Sequence, residues 1–174
     1  MKRTILPLAA IALVASGCAS MGGGGGSQAV ANLEPTKGNA TRGTVTFAQR
    51  GDRVRVTARL SGLKANAEHG FHIHEKGDCS SGDGMSAGGH FNPGGKPHGH
   101  PQGGNRHVGD MPNLRADANG NASASFEVTG MSIGAGAADI AGKGIIVHRD
   151  PDDYRSQPAG NAGPRLACAV IQKS

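Results

Sequence analysis

Six histidines and one aspartate have the types and spacing to hold two metal ions: His72, His74, His90, His98, His107, Asp110 and His148. His72 and His74 form a His-x-His pair inside Gly70-Phe71-His72-Ile73-His74-Glu75, which reads as a strand. Alternate residues of a strand point to one face, so both imidazoles reach one metal from a rigid backbone. His90, His98, His107 and Asp110 lie in glycine-rich loop sequence, whereas His148 ends the apolar run Gly144-Ile145-Ile146-Val147. Imidazole suits zinc, copper, iron and nickel, and a set this rich in histidine argues against calcium or magnesium. Two histidines remain, His69 and His100, and His98-Gly99-His100 offers two candidates for one ligand position.

These side chains need a scaffold, and the composition points to strands. The chain has 30 glycines, 9 prolines, 4 phenylalanines, 1 tyrosine and no tryptophan, which suits many short strands joined by turns. No long helical periodicity and no internal repeat is evident. Residues 44–47 and 54–60 read as a hairpin around Arg50-Gly51-Asp52, and residues 113–116 and 122–128 as a second around 117–121. Residues 29–33, 69–75, 143–148 and 165–171 supply further strands, about eight in all. The expectation is an all-β fold, an antiparallel sandwich or barrel, in a single domain. Two long loops, 76–106 and 149–164, interrupt it, and loops of that length in a compact domain are usually functional or disordered. The first carries candidate ligands, which favours function.

The N-terminal segment reads as a processing signal. Lys2-Arg3 is a basic start, residues 5–14 are apolar, and Ala15-Ser16-Gly17-Cys18 offers a small-residue cleavage site. The apolar run is too short to span a bilayer comfortably. Residues 1–18, ending on a cysteine, resemble a bacterial lipoprotein signal in which Cys18 is lipidated. Ala15 stands where such signals favour Leu, Val or Ile, and ordinary secretion with nearby cleavage is the alternative. Ala19 after the cysteine fits sorting to an outer membrane. Residues 19–27, with their five consecutive glycines, form a flexible tether, so the domain is expected over 28–174. Export favours disulfides. With Cys18 lipidated, Cys79 and Cys168 remain to pair, two free buried thiols being the alternative. A bridge would close a loop that the chain-entropy model credits with about 4–5 kcal/mol. The formal charge of +5 includes Lys2 and Arg3, the excess is modest and stacking aromatics are absent, so no nucleic-acid partner is expected.

Five stretches in order now resemble the copper/zinc superoxide dismutase family. They are residues 70–75, Gly89-His90-Phe91-Asn92-Pro93, Arg106-His107-Val108-Gly109-Asp110, Val147-His148, and Gly160-Asn161-Ala162-Gly163-Pro164-Arg165-Leu166-Ala167-Cys168. The resemblance spans nearly all of the chain from about residue 28. It implies an eight-stranded antiparallel Greek-key barrel with two long functional loops. It implies one copper per subunit on His72, His74, His90 and His148, and one zinc on His90, His98, His107 and Asp110. His90 would be shared as a bridging imidazolate. The spacing matches the zinc position to His98, which leaves His100 exposed, and His69 matches a structural histidine. Asp152 matches an aspartate that accepts hydrogen bonds from one copper and one zinc histidine. Arg165 matches an arginine overhanging the copper, where a guanidinium favours small anions.

The implied reaction is disproportionation of superoxide to dioxygen and hydrogen peroxide by alternate reduction and oxidation of copper, with His90 and Arg165 as the catalytic residues. Lys96, Arg106 and Arg155 are candidates for steering the anion. A different class, a non-catalytic periplasmic copper/zinc-binding or storage protein, needs the ligands but not Arg165; the intact 160–168 stretch favours the enzyme. A copper-only dismutase is disfavoured because every zinc position is filled. The short spacing from His74 to Cys79 and the short loop after His148 look like the bacterial branch. The expectation is therefore a periplasmic monomer or homodimer, touching membrane through a lipid anchor at the outer membrane.

Overall fold

The computed structural model describes Met1 and residues 26–174. The expected processing signal and most of the expected tether lie outside the described residues. Ten strands follow in order: β1 Gln28–Pro35, β2 Arg42–Arg50, β3 Arg53–Ser61, β4 Glu68–His69, β5 Phe71–His74, β6 Leu114–Arg115, β7 Ala122–Thr129, β8 Gly144–His148, β9 Arg165–Val170 and β10 Gln172–Lys173. One 3-10 turn, Met85–Ala87, interrupts the loop after β5.

The main sheet runs β5-β8-β9-β1-β2-β3-β7, with β10 also on β1, and every ladder is antiparallel. After the β1-β2-β3 meander the chain crosses to the far edge for β5, returns to β3 for β7, crosses back to β8 and reaches β1 through β9. This is a Greek-key path. The two-residue β4–β6 ladder joins the chain just before β5 to the chain just before β7, and so links the two sheet edges.

Period-two alternation makes these strands. Val54, Val56, Ala58 and Leu60 of β3 are buried, while Arg53, Arg55 and Arg59 between them are exposed. Val45 and Phe47 join them from β2, and Phe71, Ile73, Ile145 and Val147 meet them from the opposite wall in one core. Each large apolar side chain buried this way contributes about 1.5–3 kcal/mol.

Two expectations need correction. Residues 113–116 and 122–128 do not form a hairpin: β6 pairs with β4, and β7 makes an eight-residue ladder with β3. The turn itself exists, because Asp117 Oδ1 accepts the Asn119 and Asn121 N–H groups at 2.8 and 2.9 Å. Its flanks diverge because the long ladder and its buried Val128 outweigh local pairing. The expected strand 69–75 breaks at Gly70, whose N–H donates to the Asp150 carbonyl, and a Cβ there would press on Ala162. It also stops at His74, since the Glu75 N–H turns to the Gly89 carbonyl. Between β7 and β8, the Ile140 N–H donates to the Ser132 carbonyl, and Ile133 and Ile140 enter the core.

Beneath the loops, β5 sends Phe71 and Ile73 inward and His72 and His74 to the other side of the sheet. All four are buried, because residues 75–113 and 149–164 cover that outer wall. Cys79 on the first loop is bonded to Cys168 on β9, with Cα atoms 5.9 Å apart and 89 positions between them in sequence.

Candidate metal centre

Strand alternation delivers His72 and His74, the last residue of β8 delivers His148, and the loop after β5 brings His90 against them. An isolated bridge between His74 and His90 and another between His72 and Asp110 fasten that loop to β5. Two quartets result, both fully buried: His72, His74, His90 and His148, then His90, His98, His107 and Asp110. His90 belongs to each.

Hydrogen bonds to acceptors decide which ring nitrogen carries the proton. His74 Nδ1–H donates to the Gly88 carbonyl at 2.9 Å and His148 Nδ1–H to the Gly163 carbonyl at 3.1 Å. Both Nε2 lone pairs are thereby presented to the site, 3.4 Å apart. His72 donates from Nε2 to Asp152 Oδ2 at 2.8 Å, which frees Nδ1. His72 Nδ1 and His90 Nε2 are buried without a partner among the described residues. Leaving a buried polar atom unpaired costs about 1–3 kcal/mol. A cation that takes the lone pairs removes that cost, so the first quartet fits a four-imidazole metal such as copper.

The second quartet is tighter. The Nδ1 atoms of His90, His98 and His107 lie 2.9, 3.1 and 3.2 Å from the same oxygen, Asp110 Oδ1, and His90 and His107 are 3.4 Å apart. Ligands about 2.0–2.1 Å from a tetrahedral ion stand roughly 3.3 Å from one another, so three nitrogens and an oxygen here fit zinc. His98 donates from Nε2 to Asp152 Oδ1 at 2.9 Å, so Asp152 holds one histidine of each quartet.

Electrostatics keep the rings of the first quartet neutral. Burial, reinforced by neighbouring histidines, lowers His148 to about 3 and His74 well below the ordinary value. Burial likewise lowers His90 to about 4, against the pull of Asp110, and lowers His72. His98 goes the other way: burial opposes its charge, but Asp110 and Asp152 outweigh it and raise it to about 9. The same hydrogen bonds overcome burial at both carboxyls and hold them well below the usual carboxylate range. Neutral imidazole and ionised carboxylate are the states a metal requires.

Arg165 lines an open cavity of about 760 Å³ together with three of the first quartet, His74, His90 and His148. The guanidinium donates to the Gly84 and Gly88 carbonyls at 2.6 Å each. Lys96, Arg106 and Arg155 do not line this cavity. Arg106 is buried instead, its guanidinium donating to the His107 and Thr129 carbonyls, so it clips the loop in place. His69 is buried and donates to the His148 carbonyl at 2.9 Å. His100 is exposed, outside both quartets, with its ring 4.7 Å from that of Tyr154.

Sequence reasoning missed the carbonyls of Gly84, Gly88 and Gly163, since any residue has one. It also missed Tyr154 and Asn113. Tyr154 N–H donates to Asp152 Oδ1 at 2.7 Å, and Asn113 Oδ1 accepts the Asp152 N–H at 2.9 Å. Gly160 gave a readable signal in its glycine: its φ is +66°, and a Cβ there would overlap Asp152 Oδ1 and crowd His98 Nε2.

A Greek-key β-barrel with a four-histidine quartet and a quartet of three histidines and one aspartate, joined by one ring, defines a class of dinuclear metalloproteins. Residues 41–171 match the family described as copper/zinc superoxide dismutase. The chain is 45% identical over 136 residues to a superoxide dismutase [Cu-Zn] of Paramecium bursaria Chlorella virus 1, covering 75% of this chain and 72% of that one. It is 43% identical over 150 residues to superoxide dismutase [Cu-Zn] 2 of Brassica juncea, covering 82% and 95%. A solved structure entitled "Crystal Structure Analysis of the clock protein EA4" superposes with a TM-score of 0.77 at 41% identity, covering 84% of this chain and 94% of the other. The chain belongs to the copper/zinc superoxide dismutase family. Its activity is disproportionation of superoxide, with copper and zinc as cofactors.

Proposed function

We propose that copper is held by His72, His74, His90 and His148, and zinc by His90, His98, His107 and Asp110, with Asp152, Arg165 and His90 completing the machinery. The observation that carries this reading is the ring of His90: its Nδ1 faces Asp110 and His107 while its Nε2 lies buried and unpaired. Bound copper supplies the one-electron couple, and zinc a fixed positive charge that keeps the shared ring in place.

The chain does the rest. Arg165 carries a fixed cation at the wall of the cavity, where it attracts a small anion, and the two carbonyls it holds restrict its motion. His90 lines the cavity and its Nε2 has no other partner among the described residues, which places it to move a proton there. Two superoxide anions and two protons yield one dioxygen and one hydrogen peroxide, so a proton carrier at the cavity matters as much as the electron couple. Asp152 accepts Nε2–H from His72 and His98 and so holds both rings in the tautomer that frees Nδ1.

Metal-loaded protein tests this by its rate of superoxide removal, against His148→Ala and Arg165→Ala. A wild-type rate no better than buffer hands the case to metal storage. Zinc content measured in His98→Ala and His100→Ala checks the ligand set: loss is expected in the first alone, and full zinc in His98→Ala overturns it.

The reading also includes export. Residues 1–18 act as a bacterial lipoprotein signal, Cys18 takes the lipid, residues 19–27 tether, and the domain 28–174 works in the periplasm at the outer membrane. The basic start, short apolar run and cysteine support this. Incorporation of labelled palmitate into wild-type protein and its loss in Cys18→Ser is the expected result; no label in wild-type protein refutes the anchor.

A further inference from the structure

The sheet wall that carries no ligand is strongly basic. β2, β3 and β7 turn Arg42, Arg50, Arg53, Arg55 and Arg59 outward against Glu127, and neighbouring β1 turns Glu34 to the same side. The registers set them side by side: Arg50 opposes Arg53, Arg55 lies between Ala48 and Glu127, and Arg59 lies between Thr44 and Ser123. Glu127 is shared by Arg53 and Arg55, and Asp52 in the turn lies 3.9 Å from Arg53. Among the described residues, Arg42, Arg50 and Arg59 meet no carboxylate. Like charges directly opposed on an antiparallel pair weaken it, so the Arg50–Arg53 pairing is not there for stability. From Arg53 to Arg59 the row runs roughly 20 Å.

This face cannot serve the copper cavity. β9, β1 and β2 separate β8 from β3 in the sheet, so the arginines and the histidines occupy opposite walls. The chain's entry points the same way. Ser27 accepts the Gln49 N–H through its carbonyl at 2.8 Å and Gln28 pairs with Ala48, so the N-terminal segment leaves beside Arg50 and Arg53.

We propose that this arginine face docks on an anionic lipid bilayer, with headgroup phosphates taken by Arg42, Arg50 and Arg59 and the metal cavity turned to the water. Guanidinium groups match phosphate oxygens two at a time, and the intervening Thr44, Thr46, Thr57, Ser123 and Ser125 leave the face flat and open. The proposal extends the membrane reading of the N-terminal segment but rests on the barrel's own side chains. A Cys18 that takes no lipid leaves it standing.

The chain from Ala19 onward lacks the thiol and the apolar leader yet keeps the whole described core and both quartets, so it isolates this face. It is sedimented with vesicles of equimolar phosphatidylcholine and phosphatidylglycerol, and with pure phosphatidylcholine. Binding is expected to the mixed vesicles alone, and to vanish at about 1 M salt, where screening contracts to about 3 Å. Arg42→Gln/Arg50→Gln/Arg59→Gln should lower partitioning on the order of a hundredfold. Metal content and superoxide removal should be unchanged, which also reports an intact fold, and the triple lysine variant should still bind. Equal binding to pure phosphatidylcholine, full binding by the triple glutamine variant, or binding to dextran sulfate without binding to the mixed vesicles would each overturn the proposal.

Discussion

Asp152 Oδ2 accepts the Nε2–H of His72 across 2.8 Å, between two residues eighty positions apart and both buried. Through its other oxygen Asp152 also holds His98, so one carboxylate sets the tautomer on both sides of the shared ring. Replacing it with Asn removes an acceptor from one ring or the other. Asp152→Asn should weaken binding of both metals by roughly 10–100-fold. Competition against chelators of graded strength measures this, and a loss confined to one metal would contradict it.

Gly160 makes that carboxylate possible, because it occupies a left-handed conformation against Asp152 and His98 where a side chain has no room. Gly160→Ala should therefore reproduce much of the Asp152 defect without touching a ligand. Zinc retention during dialysis is the readout, and wild-type retention would show that the loop can give way.

The metal-free protein should be most stable near pH 6.5, the ordinary histidine value. His90 and His148 are lowered to about 4 and about 3, so below 6.5 the unfolded chain binds protons the folded chain refuses, and stability falls with acid. His98 is raised to about 9, so above 6.5 the folded chain holds a proton the unfolded chain has lost, and stability falls with alkali. Thermal denaturation of chelated protein from about pH 4 to about pH 9 checks both limbs. Zinc should abolish the alkaline limb, because it takes the place of that proton. A midpoint climbing steadily to alkaline pH in the chelated protein is the contrary outcome.

Arg165→Ala should leave both metals bound and slow superoxide removal at least about tenfold, with a weaker response to ionic strength. Stopped-flow decay of superoxide at two salt concentrations separates this from metal loss. An unchanged rate would mean that the anion reaches the site without the guanidinium.

Cys79→Ala/Cys168→Ala opens the bridge that ties the loop to β9. The expected loss is about 2–5 kcal/mol of stability by urea denaturation. The loop that supplies Gly84 and Gly88 to Arg165 lies between Cys79 and His90, so activity should fall further than metal content does.

The two clustered quartets were legible in the sequence because chemistry restricts metal donors of this kind to a few residue types, here histidine and aspartate. The β-strands were legible wherever alternation was strict, as in β3. What stayed hidden was non-local. The flanks of 117–121 read as a hairpin because their turn is genuine, but a ladder to β3, more than sixty residues earlier, decided their pairing. Arg106 looked available because it sits in a glycine-rich loop, yet three-dimensional closure buries it against carbonyls. The carbonyl acceptors of His74 and His148 carried no signal at all, since backbone groups are common to every residue.

Because the histidines of β5 point away from Phe71 and Ile73, the apolar interior closes without either ion. The polypeptide can therefore complete its barrel first and be furnished with copper and zinc afterwards, from outside. Changes in ion supply then alter how much of the protein is competent, and each bound ion adds stability to a barrel that is already closed.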